Sequence, residues 1–209
     1  MLLVIGNKNY SSWSLRPWIA MKRLGIAFDE VRIALDQPDT QERIRRYNPA
    51  GKVPCLVDGD LTVWDSLAIL EYLAEREPRL WPADPALRAR ARSVAAEMHA
   101  GFAALRTHMP MNVRHRFPGK GRNAEVDADL ARVQAIWDSA KGPFLFGTFC
   151  AADAMFAPVV LRFRSYEPPL SAASRAYVDA MLALPAMQEW IAGAHVEAEA
   201  LPKYDTLYA

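Results

Sequence analysis

The chain has 209 residues, 52% of them hydrophobic and 23% charged, with a formal net charge of +1. Such a composition suits a globular protein with a substantial buried core, and the near-neutral balance argues against a nucleic-acid footprint or strong electrostatic steering. The start MLLVIGNKNY is too short an apolar run for a signal peptide, and no apolar stretch approaches the ~20 residues of a membrane helix. Neither Cys55 nor Cys150 lies in a CxxC pattern and the four histidines show no zinc spacing, so the reading is cytoplasmic, with no disulfide framework and no metal.

In chain order, LLVI (2–5), FDEVRI (28–33), VPCLV (53–57) and LTVW (61–64) read as strands. Between them LRPWIAMKRLG (15–25) reads as a helix ending at Gly25, and TQERIRRYN (40–48) as a shorter one before Pro49. SLAILEYLAER (66–76) is a third helix, with Leu67, Leu70 and Leu73 at helical spacing. DGD between the last two strands signals a hairpin. EPRLWPADPA, with three prolines, then marks a linker, which gives an α/β domain over 1–78, a linker over 79–86 and an all-helical domain over 87–209. In that second half, ALRARARSVAAEMHAGFAALRTHM (86–109) predicts one long helix and VDADLARVQAIWDSAK (126–141) another. AADAMFAPVVLRFRS (151–165) predicts a core helix that Pro158 should kink or interrupt.

The stretch YNPAGKVPCLVDGDLTVWDSLAILEYLAE (47–75) combines an NPxGxVP element, a hairpin, an acidic residue followed by serine, and an AIxEYL helix. It resembles the glutathione-binding half of the cytosolic glutathione S-transferases, and FLFGTFCAADAMFAP (144–158) is similar to the core element of that family's helical domain. The resemblance covers essentially the whole chain. It implies an α/β N-terminal thioredoxin-like domain, built on a mixed four-stranded sheet, followed by an all-α C-terminal domain, usually as a homodimer. It further implies glutathione as co-substrate and a small-molecule electrophile as the second substrate, with no metal, nucleic acid or membrane.

The resemblance also assigns candidate glutathione-binding residues. It implies a cis Val53–Pro54 bond that aims the Val53 backbone at the cysteinyl part of glutathione; an X–Pro bond gives up little in cis. Ser66 would hold the γ-glutamyl carboxylate with Asp65 nearby, at a helix N-terminus whose free N–H groups suit an anion. Either residue also serves as a plain helix cap. Lys52 would pair with the glycyl carboxylate, or stand as a solvated surface lysine.

NYSSWSLRPW (9–18) crowds hydroxyls where a first strand ends and a first helix begins. Pro17 fits the first turn of a helix, which makes Ser14 a natural N-cap and leaves Ser11 and Ser12 in the loop ahead of the positive helix end. The stretch resembles the serine-type, zeta-like pattern SSCSxRV. That comparison favours Ser11 as the donor to the glutathione thiolate; theta-like comparison favours Ser12. Tyr10 is the rival hydroxyl and also a candidate substrate contact. Trp13 stands where the zeta-like pattern has cysteine, which argues against glutaredoxin-like chemistry, and Cys55 reads as a small core residue. Cys150 stands where the family has Ser or Thr, leaving Asp153 to hold the core helix start.

The electrophile is expected between the domains, beside RTHMPMNVRHR (106–116), where Met109 and Met111 suit an apolar site and Asn112 and Arg114 would orient a polar or anionic substrate. Tyr204 or Tyr208 of LPKYDTLYA would fold over it, and Trp13, Trp18 and Trp64 are expected nearby. Three functions follow: a detoxifying glutathione transferase, a glutathione-dependent maleylacetoacetate-type cis–trans isomerase, or a non-catalytic binding protein on the same fold. Met111 in place of the zeta-like Gln weighs against the isomerase.

Overall fold

A computed structural model describes residues 1–208; Ala209, the end of the LPKYDTLYA stretch, lies outside the described residues. Four short strands, β1 (Leu2–Ile5), β2 (Asp29–Arg32), β3 (Cys55–Asp58) and β4 (Leu61–Trp64), form one mixed sheet in the order β2-β1-β3-β4. β1 and β2 run parallel, which requires a crossover, and helix α1 (Ser12–Leu24) supplies it. β3 is antiparallel to both β1 and β4, with Asp58 opposite Leu61 across the expected hairpin.

Side-chain alternation sorts the sheet's two faces. Leu3, Ile5 and Leu56 face the main core, with Trp18, Ile19 and the Leu70 of α3 (Ser66–Ala74). Val4 and Cys55 face the other way, onto Ile33 and the Ile44 of α2 (Thr40–Arg45). Cys55 is fully buried and burial pushes its thiol up to about 11, as suits a core residue.

The rest is helical: α4 (Pro85–Ala100), α5 (Ala103–His108), α6 (Ala124–Asp138), α7 (Ala151–Tyr166), α8 (Ala172–Leu182), α9 (Pro185–His195) and α10 (Pro202–Asp205). The single helix expected over 86–109 is two. Gly101 leaves the helix, and Phe102 turns left-handed at φ 60°. Arg106 of α5 then reaches back to the last carbonyls of α4, donating to Gly101 at 2.9 Å, to His99 at 3.2 Å and to Met98. In α7 the chain runs helically through Pro158 without ending a segment there.

α7 is buried along nearly its whole length and packs against α1 and α4, so the α/β and helical halves share one core. Its start is held by Asp153: one carboxylate oxygen accepts from the Cys150 amide at 2.9 Å, the other from the Leu145 amide at 3.0 Å and the Tyr177 hydroxyl at 3.1 Å. Burial pushes that carboxyl up to about 6.

Candidate active site

A cleft opens between the carboxyl end of β1, the β3–α3 corner and the helical half. Its two adjoining lobes, of about 730 and 490 Å3, share Tyr10, Trp13, Leu35, Val53, Lys203 and Tyr204. Lys52, Val53, Pro54, Asp65 and Ser66 all line the first lobe; Ser11, Ser12 and Met111 line the second.

In the first lobe the Val53–Pro54 bond is cis. Val53 lies outside the sheet ladder, and its N–H and C=O meet no partner among the described residues. An unpaired backbone of this kind is open to an extended peptide. Asp65 takes the left-handed φ of 74° and caps α3, one carboxylate oxygen accepting from Leu67 at 2.9 Å and Ala68 at 3.3 Å. Its other oxygen lies 3.3 Å from His99 Nε2. The cap leaves the Ser66 amide free, beside a Ser66 Oγ that accepts from Arg16 Nη1 at 3.2 Å. Backbone donors, a hydroxyl and the positive end of α3 thus converge at one corner, the arrangement that binds a carboxylate. Lys52 stands exposed on the wall and makes no ion pair among the described residues.

In the serine loop the helix begins earlier than its proline suggests. α1 starts at Ser12 with Ser11 as its N-cap, which puts Ser14 inside the first turn and Pro17 inside the helix. Ser14 is not the cap because its side chain turns inward: fully buried, Ser14 Oγ accepts from the Gly6 amide at 3.1 Å and lies 2.7 Å from Ser11 Oγ. A buried hydroxyl proton without an acceptor costs about 1–3 kcal/mol, and Ser11 Oγ is the acceptor within reach of Ser14. Either hydroxyl can donate across that contact; the cost of an unpaired buried proton favours Ser14 as the donor, which leaves the Ser11 proton for the cleft. The amides of Trp13 and Ser14 also lack acceptors among the described residues, so the positive end of α1 faces the same place. Ser12 Oγ, which lines the second lobe, makes no hydrogen bond among the described residues either.

Tyr10 is turned away from this task. Its hydroxyl donates to Asp205 at 2.8 Å and accepts from Arg114 at 2.9 Å and the Leu201 amide at 3.0 Å, and burial raises its pKa. Its ring lines both lobes, stacked on Tyr204 at 5.6 Å. The expected substrate contacts of Asn112 and Arg114 are corrected in the same way. Asn112 is fully buried and donates to Asp205 at 2.7 Å, while Arg114 donates to the Glu197 and Glu199 carbonyls at 2.7 and 2.6 Å. Both residues fasten the C-terminal strap, whose Lys203, Tyr204 and Leu207 then wall the second lobe. Tyr208 instead donates to the His108 carbonyl. Trp13 and Trp64 line the cleft; Trp18 does not, being fully buried against Trp190 with its indole N–H on Glu30 at 2.7 Å.

Three arginines were not singled out by role in the sequence. Arg106 and Arg162 line the second lobe, and Arg16 lies behind Trp13, with the Arg16 and Arg106 guanidiniums 4.2 and 4.9 Å from the Trp13 ring centroid. Arg162, deep in α7, donates to the Met109 carbonyl, and burial lowers its pKa to about 10. None of the three forms a salt bridge with a carboxylate among the described residues. Arg16 is the arginine of the SSxSxR stretch, whereas Arg106 and Arg162 belong to no local motif, and only the fold gathers the three.

Comparison with known proteins supplies the family. A family profile described as the glutathione S-transferase N-terminal domain matches residues 10–76. The maleylacetoacetate isomerase of Mus musculus is 37% identical over 167 residues, 77% of this chain and 76% of that protein. A solved holo structure of maleyl pyruvate isomerase, described as a bacterial glutathione S-transferase of the zeta class, superposes with a TM-score of 0.72 at 24% identity, covering 95% of this chain and all of that one. A glutathione transferase homolog from Burkholderia, solved with bound glutathione, gives 0.70 at 22% identity over 94% and 98% of the two chains. With a relative this similar across three quarters of both sequences, and a thioredoxin-like sheet leading into a helical half, the chain belongs to the glutathione S-transferase family.

Proposed function

We propose that the protein is a glutathione transferase that binds glutathione along the first lobe, ionises its thiol beside Ser11, and delivers it to a small electrophile in the second lobe. The observation that carries this reading is the placement of Ser11 in the second lobe, between Tyr10 and Trp13 that line both lobes, with its Oγ 2.7 Å from Ser14 Oγ and beside a positive helix end. A free cysteine thiol ionises near ~8.5. Bringing it about two units lower takes ~2.7 kcal/mol. One charge-assisted hydrogen bond supplies ~1.5–3 kcal/mol and a helix end ~0.3–1 kcal/mol, a combined range that brackets the amount needed. The thiol proton passes to solvent, the thiolate sulfur forms a bond to the electrophilic carbon, and the leaving group departs with its bonding pair. Proximity of the two lobes supplies the rest.

A second reading is a glutathione-dependent isomerase of a maleyl-type dienoate, in which glutathione adds, a bond rotates and glutathione leaves. Arg106 and Arg162, cationic and without carboxylate partners in the second lobe, favour it, since they suit a substrate carrying carboxylates. Steady-state rates with glutathione and either a neutral chloronitrobenzene or a maleyl dienoate separate the readings. Turnover of the first alone supports the transferase; turnover of the dienoate, lost in Arg106→Met, supports the isomerase; turnover of neither leaves a binding protein and refutes both. The homodimer, the division into domains over 1–78 and 87–209, and a cytoplasmic detoxifying role belong to the same proposal, and sedimentation velocity tests the first.

A further inference from the structure

Glu197 lies outside both lobes, yet its carboxylate is committed to the loop that carries the serines. Only 3% of its side chain is exposed. Its two oxygens accept from consecutive amides, Oε1 from Lys8 at 2.6 Å and Oε2 from Asn9 at 3.1 Å. Arg32 Nη1 lies 3.8 Å from Oε1 and closer, at 3.0 Å, to a Glu199 oxygen. Arg114 donates to the Glu197 carbonyl instead, at 2.7 Å. A buried carboxylate is tolerated when hydrogen bonds satisfy it, and bonds from backbone N–H groups to a charged acceptor are stronger than neutral ones. The C-terminal strap thus grips the chain just ahead of Ser11 by its backbone.

We infer that Glu197 is a positioning residue for the Ser11 hydroxyl; the inference rests on the glutathione reading above. Residues 7–11 make a tight turn, in which the Asn7 carbonyl accepts from the Tyr10 amide at 3.1 Å and from the Ser11 amide at 2.8 Å. Those bonds fix Ser11 relative to Asn7, and Glu197 fixes Lys8 and Asn9 between them. Without the carboxylate both amides lose their acceptor together, and Asn9 is fully buried, so the turn must open to satisfy them. Ser11 moves with that turn. A reacting group works only when held within ~0.5 Å of its productive place, so an opened turn weakens the bond to the thiolate. Val53, Asp65 and Ser66 have no contact with Glu197 and keep their geometry.

The test is the thiol pKa of bound glutathione, read as thiolate absorbance against pH, beside the affinity for S-methylglutathione, which fills the first lobe without an ionisable thiol. Both are measured on the full chain for wild type, Glu197→Ala, Glu197→Gln, Ser11→Ala and the double variant Ser11→Ala/Glu197→Ala. Glu197→Ala should raise the thiol pKa by about 1, no more than Ser11→Ala does, and change S-methylglutathione affinity by less than about twofold. Glu197→Gln keeps an oxygen for one of the two amides and should raise the pKa by less. The double variant should match Ser11→Ala, because a displaced turn then has no hydroxyl to misplace. An unchanged thiol pKa in Glu197→Ala overturns the inference, and so do additive rises in the double variant. A merely structural carboxylate would weaken S-methylglutathione along with glutathione, and that result overturns it as well. Should Glu197→Ala fail to fold, Glu197→Gln carries the test: it must raise the thiol pKa while S-methylglutathione binding holds. A wild type that binds neither ligand overturns the glutathione reading itself; ligand binding with a silent Ser11→Ala leaves that reading standing and overturns only the placement of Ser11 by Glu197.

Discussion

Replacing Ser14 with alanine removes a side chain that touches no ligand yet sits between the backbone and the proposed thiolate donor. Ser14 Oγ bridges the Gly6 amide at 3.1 Å and Ser11 Oγ at 2.7 Å. Without it the buried Gly6 N–H loses its acceptor, a cost of about 1–3 kcal/mol, or roughly 2–12 °C in melting temperature for a chain of this size. Ser11 keeps its own proton but loses the polarisation passed along the relay, on the order of 10–30% of a bond. For a charge-assisted bond of ~1.5–3 kcal/mol that is about 0.2–0.9 kcal/mol, so the bound thiol pKa should rise by roughly 0.1–0.7. Ser11→Ala forfeits the whole bond and should raise it by about 1–2. The assay is the ultraviolet absorbance of the thiolate in the glutathione complex, followed against pH for the two variants and for Ser12→Ala. A thiol pKa that falls on removing Ser14 would mean that Ser11 had been donating inward, and the relay's direction would be refuted. A rise in Ser12→Ala with none in Ser11→Ala would move the donor to Ser12.

Tyr10→Phe should leave the bound thiol pKa unchanged within a few tenths, because the Tyr10 hydroxyl is committed to Asp205, Arg114 and Leu201. It should instead loosen the strap and speed amide exchange over 201–205; a thiol pKa raised by a full unit would reinstate Tyr10 as the donor. Asp153 gives a pH signature. Burial holds its carboxyl near 6, above the ordinary 3.8, so the folded state binds that proton more tightly than the unfolded state. The associated stability is fully present below the ordinary value and is lost as pH rises through 6, an amount on the order of 3 kcal/mol. The stability of wild type relative to Asp153→Asn should therefore decline between pH 4 and pH 7 in urea titrations; a flat difference would contradict the buried-carboxyl account.

The parts of the fold legible in the sequence are those whose signals are local. Alternating apolar runs located the four strands, and the NPxGxVP and Asp65-Ser66 pattern located the first lobe, because backbone geometry ties each motif to a turn or a helix start. Pro17 misled, since a proline inside a helix is tolerated when tertiary packing outweighs one lost bond, and here α1 lies against α7. Gly101 was the overlooked signal that splits α4 from α5. Asn112 and Arg114 look like cleft residues from their position after α5, yet their partners, Asp205, Glu197 and Glu199, lie more than 80 residues away, and nothing nearby in sequence announces them. The same holds for Arg106 and Arg162, which reach the second lobe beside Trp13 and Arg16 of α1 only after the two halves of the chain dock.

The central claim is that the cleft holds glutathione as a thiolate, and titrating the wild-type protein with glutathione tests it most directly. Binding reads out in the fluorescence of Trp13 and Trp64, which line the cleft, and ionisation in thiolate absorbance against pH. Saturable binding with a thiol pKa about two units below the free value of ~8.5 is the expected result. Saturable binding with an unshifted thiol would contradict activation by the serine loop, and no binding at all would contradict the assignment of the first lobe.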